Sequence, residues 1–459
     1  MTVLDDARAA TDQRLGRTLQ QRVPRFEADP AWQLPAGPKW PAIVQSFFML
    51  RYRHIAHPWL WRKYGDTFTV RLLPSARPMV FFTRPEHIRD IFAGDPKVFH
   101  AGHANAILAP IMGRESVLLL DELEHSRSRR LLMPAFTARA LKEYGAMVRQ
   151  VAVDEVEAWQ TGATFTSLPR MNALTLEVIL RVVFGVTDEE RLARLRPAVA
   201  AVLDIPPIVI LGWGHPTLLR FGPWKRMVEN QYALDALIFE EIADRRGDPG
   251  LADRRDVLSR LLLAGGDDDA LTDSELRDQL VTLLLAGHET TATSLSWAMY
   301  ELGRDQALLA RAQRAADEGD DDYLEALLKE TMRVHPVLPA VNRTLMAPAR
   351  VGDLDLPAGV IVAPSIIISH QRDESFPEHE RFDPERFLGE NPPPANSWIP
   401  FGGGVRRCLG AGFSLMEGVH VLRELLVRYG VEAVGSDKPK TRNIVSIPAH
   451  GGRVKVTRR

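Results

Sequence analysis

A mainly α fold with a small β lobe follows from three features of the 459-residue sequence. Apolar residues recur at helical spacing along most of the chain, in segments separated by proline and glycine. β-branched and aromatic runs of strand length are confined to a few places, chiefly residues 67–82. No alternation of strand and helix marks a doubly wound sheet. With 45% hydrophobic residues the chain buries a large core. A formal net charge of -2 gives no electrostatic case for nucleic acid.

Residues 1–41 are charged and dotted with proline and read as a surface arm, leaving 42–459 as a single large domain. The N-terminus has no apolar stretch of signal-peptide type. No apolar run approaches the roughly 20 residues of a membrane span. One cysteine, Cys408, excludes an internal disulfide. The expectation is a soluble, cytoplasmic monomer.

Residues 47–64 read as one amphipathic helix closed by Gly65. Residues 67–73 and 78–82 flank Pro74 and read as a strand pair. Thr83 and Glu86 form a capping-box pattern, with Pro85 in the first turn of the following helix. After an apolar loop, residues 122–136 form a basic helix on which His125 and Arg129, four apart, share a face. Helical patterns cover residues 138–159 and 172–184. Residues 198–219 are unusually apolar for a segment rich in Pro and Gly.

Thr272 and Glu275 form a second capping box, opening a helix that runs to about residue 302. Some 30 residues at 1.5 Å each span about 45 Å. Its middle reads Leu285-Ala286-Gly287-His288-Glu289-Thr290-Thr291. Glycine, acid and hydroxyls there cost stability, and a local violation of that kind points to function. His288-Glu289 does not continue into a zinc-protease H-E-x-x-H face, because position 292 is Ala. Residues 337–341 read as a strand edge, and Pro357-Ala358-Gly359 as a turn between short strands.

The chain is organised around Pro400 to Glu417, PFGGGVRRCLGAGFSLME. Glycines let backbone lie close to a flat ligand. A helix predicted over 411–429 places Cys408 just before a helix N-terminus, where amides, dipole and the neighbouring Arg406 and Arg407 favour the thiolate. Phe401, Gly404, Arg406, Cys408 and Gly410 fit F-x-x-G-x-R-x-C-x-G, which resembles the haem-binding loop of the cytochrome P450 family. Residues 286–291 likewise resemble that family's oxygen-binding signature, [A/G]-G-x-[D/E]-T-[T/S]. Glu330-x-x-Arg333 and Pro384-Glu385-Arg386-Phe387 follow the family order, so the resemblance spans roughly residue 47 to the C-terminus.

The resemblance implies a P450 fold around haem b (iron protoporphyrin IX), with Cys408 as the axial thiolate and O2 as co-substrate. It further implies that Phe401, Gly402, Arg406 and Gly410 shape the cofactor loop, and that His125, Arg129 and Arg343 hold the propionates. Ala286 and Gly287 leave room for dioxygen, Thr290 hydrogen-bonds it, and Glu289 relays protons from solvent. Glu330, Arg333 and Arg386 form a structural triad, while residues 198–219 fall where the family has a mobile lid.

The pocket wall is expected from Ile107, Leu108, Ile111, Leu283, Val337 and Leu338, and the substrate as a lipophilic small molecule, a fatty acid before a terpenoid or polyketide. Arg51, Arg53 or Arg71 could meet its carboxylate. Electrons are expected from a separate ferredoxin and ferredoxin reductase, or a flavodoxin, docking near Arg130 and Arg407. A hydrogen peroxide-driven peroxygenase and a non-catalytic haem carrier or gas sensor are the alternatives, neither of which needs Glu289-Thr290. A dinucleotide site is disfavoured by Leu415, which stands where the third glycine is required.

Overall fold

The computed structural model describes Pro24, Phe26 and residues 32–73, 75–186, 188–203, 209, 216–266 and 269–459. Most of the expected N-terminal arm, Pro74 of the strand pair and the centre of the 198–219 segment lie outside the described residues. The chain forms two compact units.

The described part of the first unit lies in Ala101–Tyr144 and Leu176–His288 and contains helices but, among the described residues, no strand. Helices Glu189–Leu203, Gly222–Arg246 and Asp273–Gly287 bury stripes at helical spacing: Leu192, Leu195 and Val199; Leu234, Ile238 and Ile242; Leu276, Leu280 and Leu284. Buried charge in this core is paired. Arg277 lies 2.6 Å from Asp235 and 2.9 Å from Asp278. The Thr272–Glu275 capping box closes at the start of Asp273–Gly287 as expected.

The second unit comprises Val23–His100, Gly145–Thr175 and Glu289–Arg459 and carries all the described strands. Its largest sheet orders Thr67–Arg71, Pro78–Phe82, Ile361–Pro364, Arg343–Leu345 and Phe99–His100. The expected pair is antiparallel, with Thr67 opposite Phe82. Val80, Phe82, Val362, Leu345, Ile88 and Ile91 form its core. A second sheet joins Thr164–Thr166, Arg453–Arg458 and Tyr429–Ala433. Helices Glu289–Arg304, Asp321–Val334 and Ala411–Leu426 pack on one another.

Five expectations are corrected. Residues 47–64 belong to two helices, Ala42–Arg51 and Arg53–Tyr64, because Tyr52 leaves helical geometry (φ -127°, ψ 35°). The bend is held by buried Arg53, which donates to the carbonyls of Ile444 (2.6 Å) and Asn443 (3.1 Å). The Thr83–Glu86 box does not form. Arg84 precedes helix Pro85–Ala93 with no side-chain cap, and the Thr83 hydroxyl accepts from Arg372 (3.1 Å) while donating to the Asp66 carbonyl (3.1 Å). The long helix is interrupted at His288 (φ -102°, ψ -52°), giving Asp273–Gly287 and Glu289–Arg304. Residues 337–341 make no strand. Pro339 lacks a ladder N–H, and only Ala340 forms a bridge, to Ser365. The last helix ends at Leu426, since Tyr429 opens a strand opposite Arg458.

Candidate active site

Cys408 lies three residues before helix Ala411–Leu426, its thiol exposed and its N–H donating to the Phe401 carbonyl (2.9 Å). The loop before it needs glycine for two separate reasons. Gly402 and Gly404 sit at φ 64° and 63°, in the left-handed region. A Cβ on Gly404 would also fall 2.0 Å from the Phe92 carbonyl oxygen. By contrast, a Cβ on Gly410 would meet nothing within 4 Å, so that side of the loop is open. Arg343, buried, and Arg406 line one small cleft with Ile91, Phe92, Phe99 and Val405.

Behind the loop, Glu330 and Arg333 are buried and make a two-bond pair at 2.7 and 2.8 Å. Arg386 approaches Glu330 at 3.4 Å, so the expected triad is assembled. Two residues passed over in the sequence link it to the loop. The His370 carbonyl accepts from Arg333 (3.0 Å), and its Nε2 accepts from the Ile399 N–H (3.0 Å). Burial, with Arg333 next, pushes the His370 imidazole down to about 3, so it is neutral and free to accept. Trp398 donates to the Lys329 carbonyl (3.1 Å) and stacks edge-on between Phe387 and Phe401. The signal for both is contact across some tens of residues, which local pattern does not carry.

Around the helix interruption, burial changes abruptly. Residues 276–284, except Leu283, and 291–303 are buried, whereas Leu285, Gly287, Glu289 and Thr290 are half-buried and Ala286 is exposed. A Cβ on Gly287 would fall 2.8 Å from Ile179, so its small size also answers a packing demand. The His288 ring meets the Leu284 carbonyl through Nδ1 at 2.9 Å, satisfying an acceptor at the break. Glu289 lies 3.6 Å from Arg442 of hairpin strand Pro439–Arg442. Burial raises its carboxyl above the ordinary value, and Arg442 opposes the shift. Thr291 and Ser414 share a hydroxyl contact at 3.1 Å, tying Glu289–Arg304 to the helix after Cys408. Glu417 on that helix is fully buried, neither carboxyl oxygen making a well-formed hydrogen bond, and burial raises it well above the ordinary range.

The expected site residues divide between the units. The first holds His125, buried, and Arg129, half-buried, on helix Glu122–Leu132, together with Ala286 and Gly287. It also holds Ile107 (42% exposed), Leu108, Ile111 and Leu283. The second holds Cys408, Phe401, Gly402, Arg406, Gly410, Arg343, the triad, and Glu289 and Thr290. Val337 and Leu338 there pack against Leu168, Val445 and Ile447. Of the arginines considered for a substrate carboxylate, Arg53 is committed to backbone carbonyls, and burial lowers it to about 10.

The cytochrome P450 family model matches residues 35–456. The chain belongs to the cytochrome P450 family. Cytochrome P450 135A1 of Mycobacterium tuberculosis is 48% identical over 427 residues, covering 92% of this chain and 95% of that one. Cytochrome P450 135B1 of Mycobacterium bovis is 41% identical over 432 residues (92% and 91%), and cytochrome P450 138 of the same organism 34% over 453 (96% and 100%). Among solved structures, retinoic acid-bound cyanobacterial CYP120A1 superposes with a TM-score of 0.82 at 23% identity, covering 93% of this chain and 100% of that one. The haem domain of cytochrome P450DA gives 0.80 at 24% (93% and 98%).

As a P450, the chain is a haem-thiolate monooxygenase, an oxidoreductase that uses O2, a small-molecule substrate and redox partners. The residues fit that cofactor: an exposed thiol follows backbone that only glycine permits, with Arg343 and Arg406 on a common cleft. No described helix is long and apolar enough to cross a membrane.

Proposed function

We propose that this P450 hydroxylates a C–H bond of a lipophilic substrate, a long-chain fatty acid in the first instance, with electrons from a separate ferredoxin and its reductase. The observation that carries the reading is the loss of full burial at Leu285, Ala286, Gly287, Glu289 and Thr290, on either side of buried His288, with Glu289 within reach of Arg442. Haem b, when bound through Cys408, supplies the iron chemistry that activates dioxygen. The chain's own residues do the rest. In this reading His125, Arg129 and Arg343 hold the propionates, the two arginines giving positive charge to the carboxylates, while Arg406 belongs to the cysteine loop.

Ala286 leaves space beside the oxygen site, and the Thr290 hydroxyl holds a proton donor there. Glu289 carries protons from the Arg442 side, where it meets solvent, toward Thr290; its raised affinity for protons suits a group that must be both loaded and unloaded. Apolar Ile107, Leu108 and Leu283, left partly uncovered, favour a lipophilic substrate. Arg71 remains a candidate for its carboxylate, being exposed at the sheet edge.

The test is to titrate purified holoenzyme with fatty acids of graded chain length, following the ferric spin-state change, and then to identify products with ferredoxin, its reductase and O2. Saturable shifts and hydroxylated products are expected. A terpenoid that shifts the spectrum where no fatty acid does would replace the substrate class. Turnover as fast with hydrogen peroxide alone, and unchanged in Thr290→Ala, would favour a peroxygenase.

A further inference from the structure

Helix Ala42–Arg51 is turned inside out. Its buried positions are Gln45, Ser46 and Met49, whereas Ile43, Val44, Phe47 and Leu50 are 64, 46, 63 and 54% exposed. Positions 43, 47 and 50 share one helix face. The inner face is explained by the sheet. The Arg71 N–H donates to Gln45 Oε1 and the Leu73 N–H to Ser46 Oγ, both at 2.8 Å, so these side chains close the free edge of strand Thr67–Arg71. That role does not call for large apolar side chains on the outside, where they form a patch of the kind that marks an interaction surface.

The patch extends beyond the helix. The Phe47 ring lies 5.9 Å from Tyr52, and Ile55 is also exposed. Arg53 binds the carbonyl of Ile444, whose side chain is exposed on the neighbouring hairpin. The helix's own sequence neighbourhood is cationic. Residues 30–65 contain Lys39, Arg51, Arg62 and Lys63 besides the buried Arg53, and no Asp or Glu, although 59 of the chain's 459 residues are acidic. Lys438 acts on His54 together with Arg51 and Arg53, and Lys440 lies on strand Pro439–Arg442, which packs against the helix. Apolar side chains rimmed by cations and by Trp40 and Tyr52 match the interfacial layer of an anionic bilayer, where acyl chains meet phosphates. A second copy of the chain is a poorer occupant, since a two-fold contact would set these cations against themselves.

We propose that this face seats the protein on an anionic membrane surface, with Ile43, Phe47, Leu50 and Ile444 at the headgroup boundary and Arg51, Lys438 and Lys440 against lipid phosphates. The test is flotation of full-length holoenzyme with phosphatidylcholine vesicles, with and without about one-third phosphatidylglycerol. Binding to the anionic vesicles that weakens with salt is expected. Phe47→Glu with Leu50→Glu should lower the bound-to-free ratio at least about tenfold, and Lys438→Glu with Lys440→Glu should lower it on anionic vesicles only. These side chains are exposed, and an unchanged melting temperature shows that the variants fold. Failure of the wild type to float overturns the proposal, as does equal binding by both variants. A wild-type dimer that Phe47→Glu turns into a monomer, with no flotation of either, gives the face to a second copy and also overturns it.

Discussion

Replacing Glu330 with alanine should bring the fold close to its stability limit. Glu330 has no exposed surface, and Arg333 is 1% exposed. The carboxylate accepts both Arg333 bonds and the Asp383 N–H (2.8 Å). Its removal strands a guanidinium that keeps only the carbonyls of His370 and Arg381 and the Phe376 ring face. Loss of one partner from a buried pair costs about 3–5 kcal/mol, and the part-buried N–H of Asp383 adds about 1 kcal/mol. The total is comparable with the whole stability of an ordinary domain, about 5–15 kcal/mol. Urea unfolding followed by circular dichroism measures it. Glu330→Leu with Arg333→Met, which removes both charges, should be less damaging than Glu330→Ala alone. If Glu330→Ala falls within about 1 kcal/mol of wild type, the triad is not a buried electrostatic brace and the reasoning fails.

Arg442→Gln removes the group that opposes the raised proton affinity of Glu289, so the Glu289-dependent limb of the pH–rate profile should move to higher pH; an unmoved limb would separate Arg442 from proton delivery. Glu417 binds its proton more tightly folded than unfolded, so the wild type should lose stability as pH rises from the ordinary carboxylate range toward the raised folded value. Glu417→Gln should lack that slope, and identical pH dependence in melting experiments would count against a neutral buried acid.

What could be read from the sequence was what neighbouring residues decide. The Thr272–Glu275 box, the pairing of the two strands before Thr83 and the position of Cys408 just ahead of a helix depend on residues within a few positions, and these appear as read, the first strand ending at Arg71 rather than Leu73. The interruption at His288 was hidden because a helical pattern resumes at once beyond it, in Glu289–Arg304. Thr83 offered a cap, but a distant donor, the Arg372 guanidinium, took its hydroxyl oxygen. Helix Ala42–Arg51 shows the opposite failure. Periodicity identifies an apolar face but not which way it turns, and the edge of strand Thr67–Arg71 claimed the polar one. His370 and Trp398 carry no motif, since their role exists only once Arg333 and Phe401 are in place.

Ligation of haem iron by Cys408 is tested most directly by the absorption spectrum of the reduced, carbon monoxide-treated protein, for wild type and Cys408→Ser. The wild type should show the long-wavelength Soret band of thiolate ligation, and the variant should lose it while still taking up haem. A wild type without that band, or a serine variant that keeps it, would contradict the account.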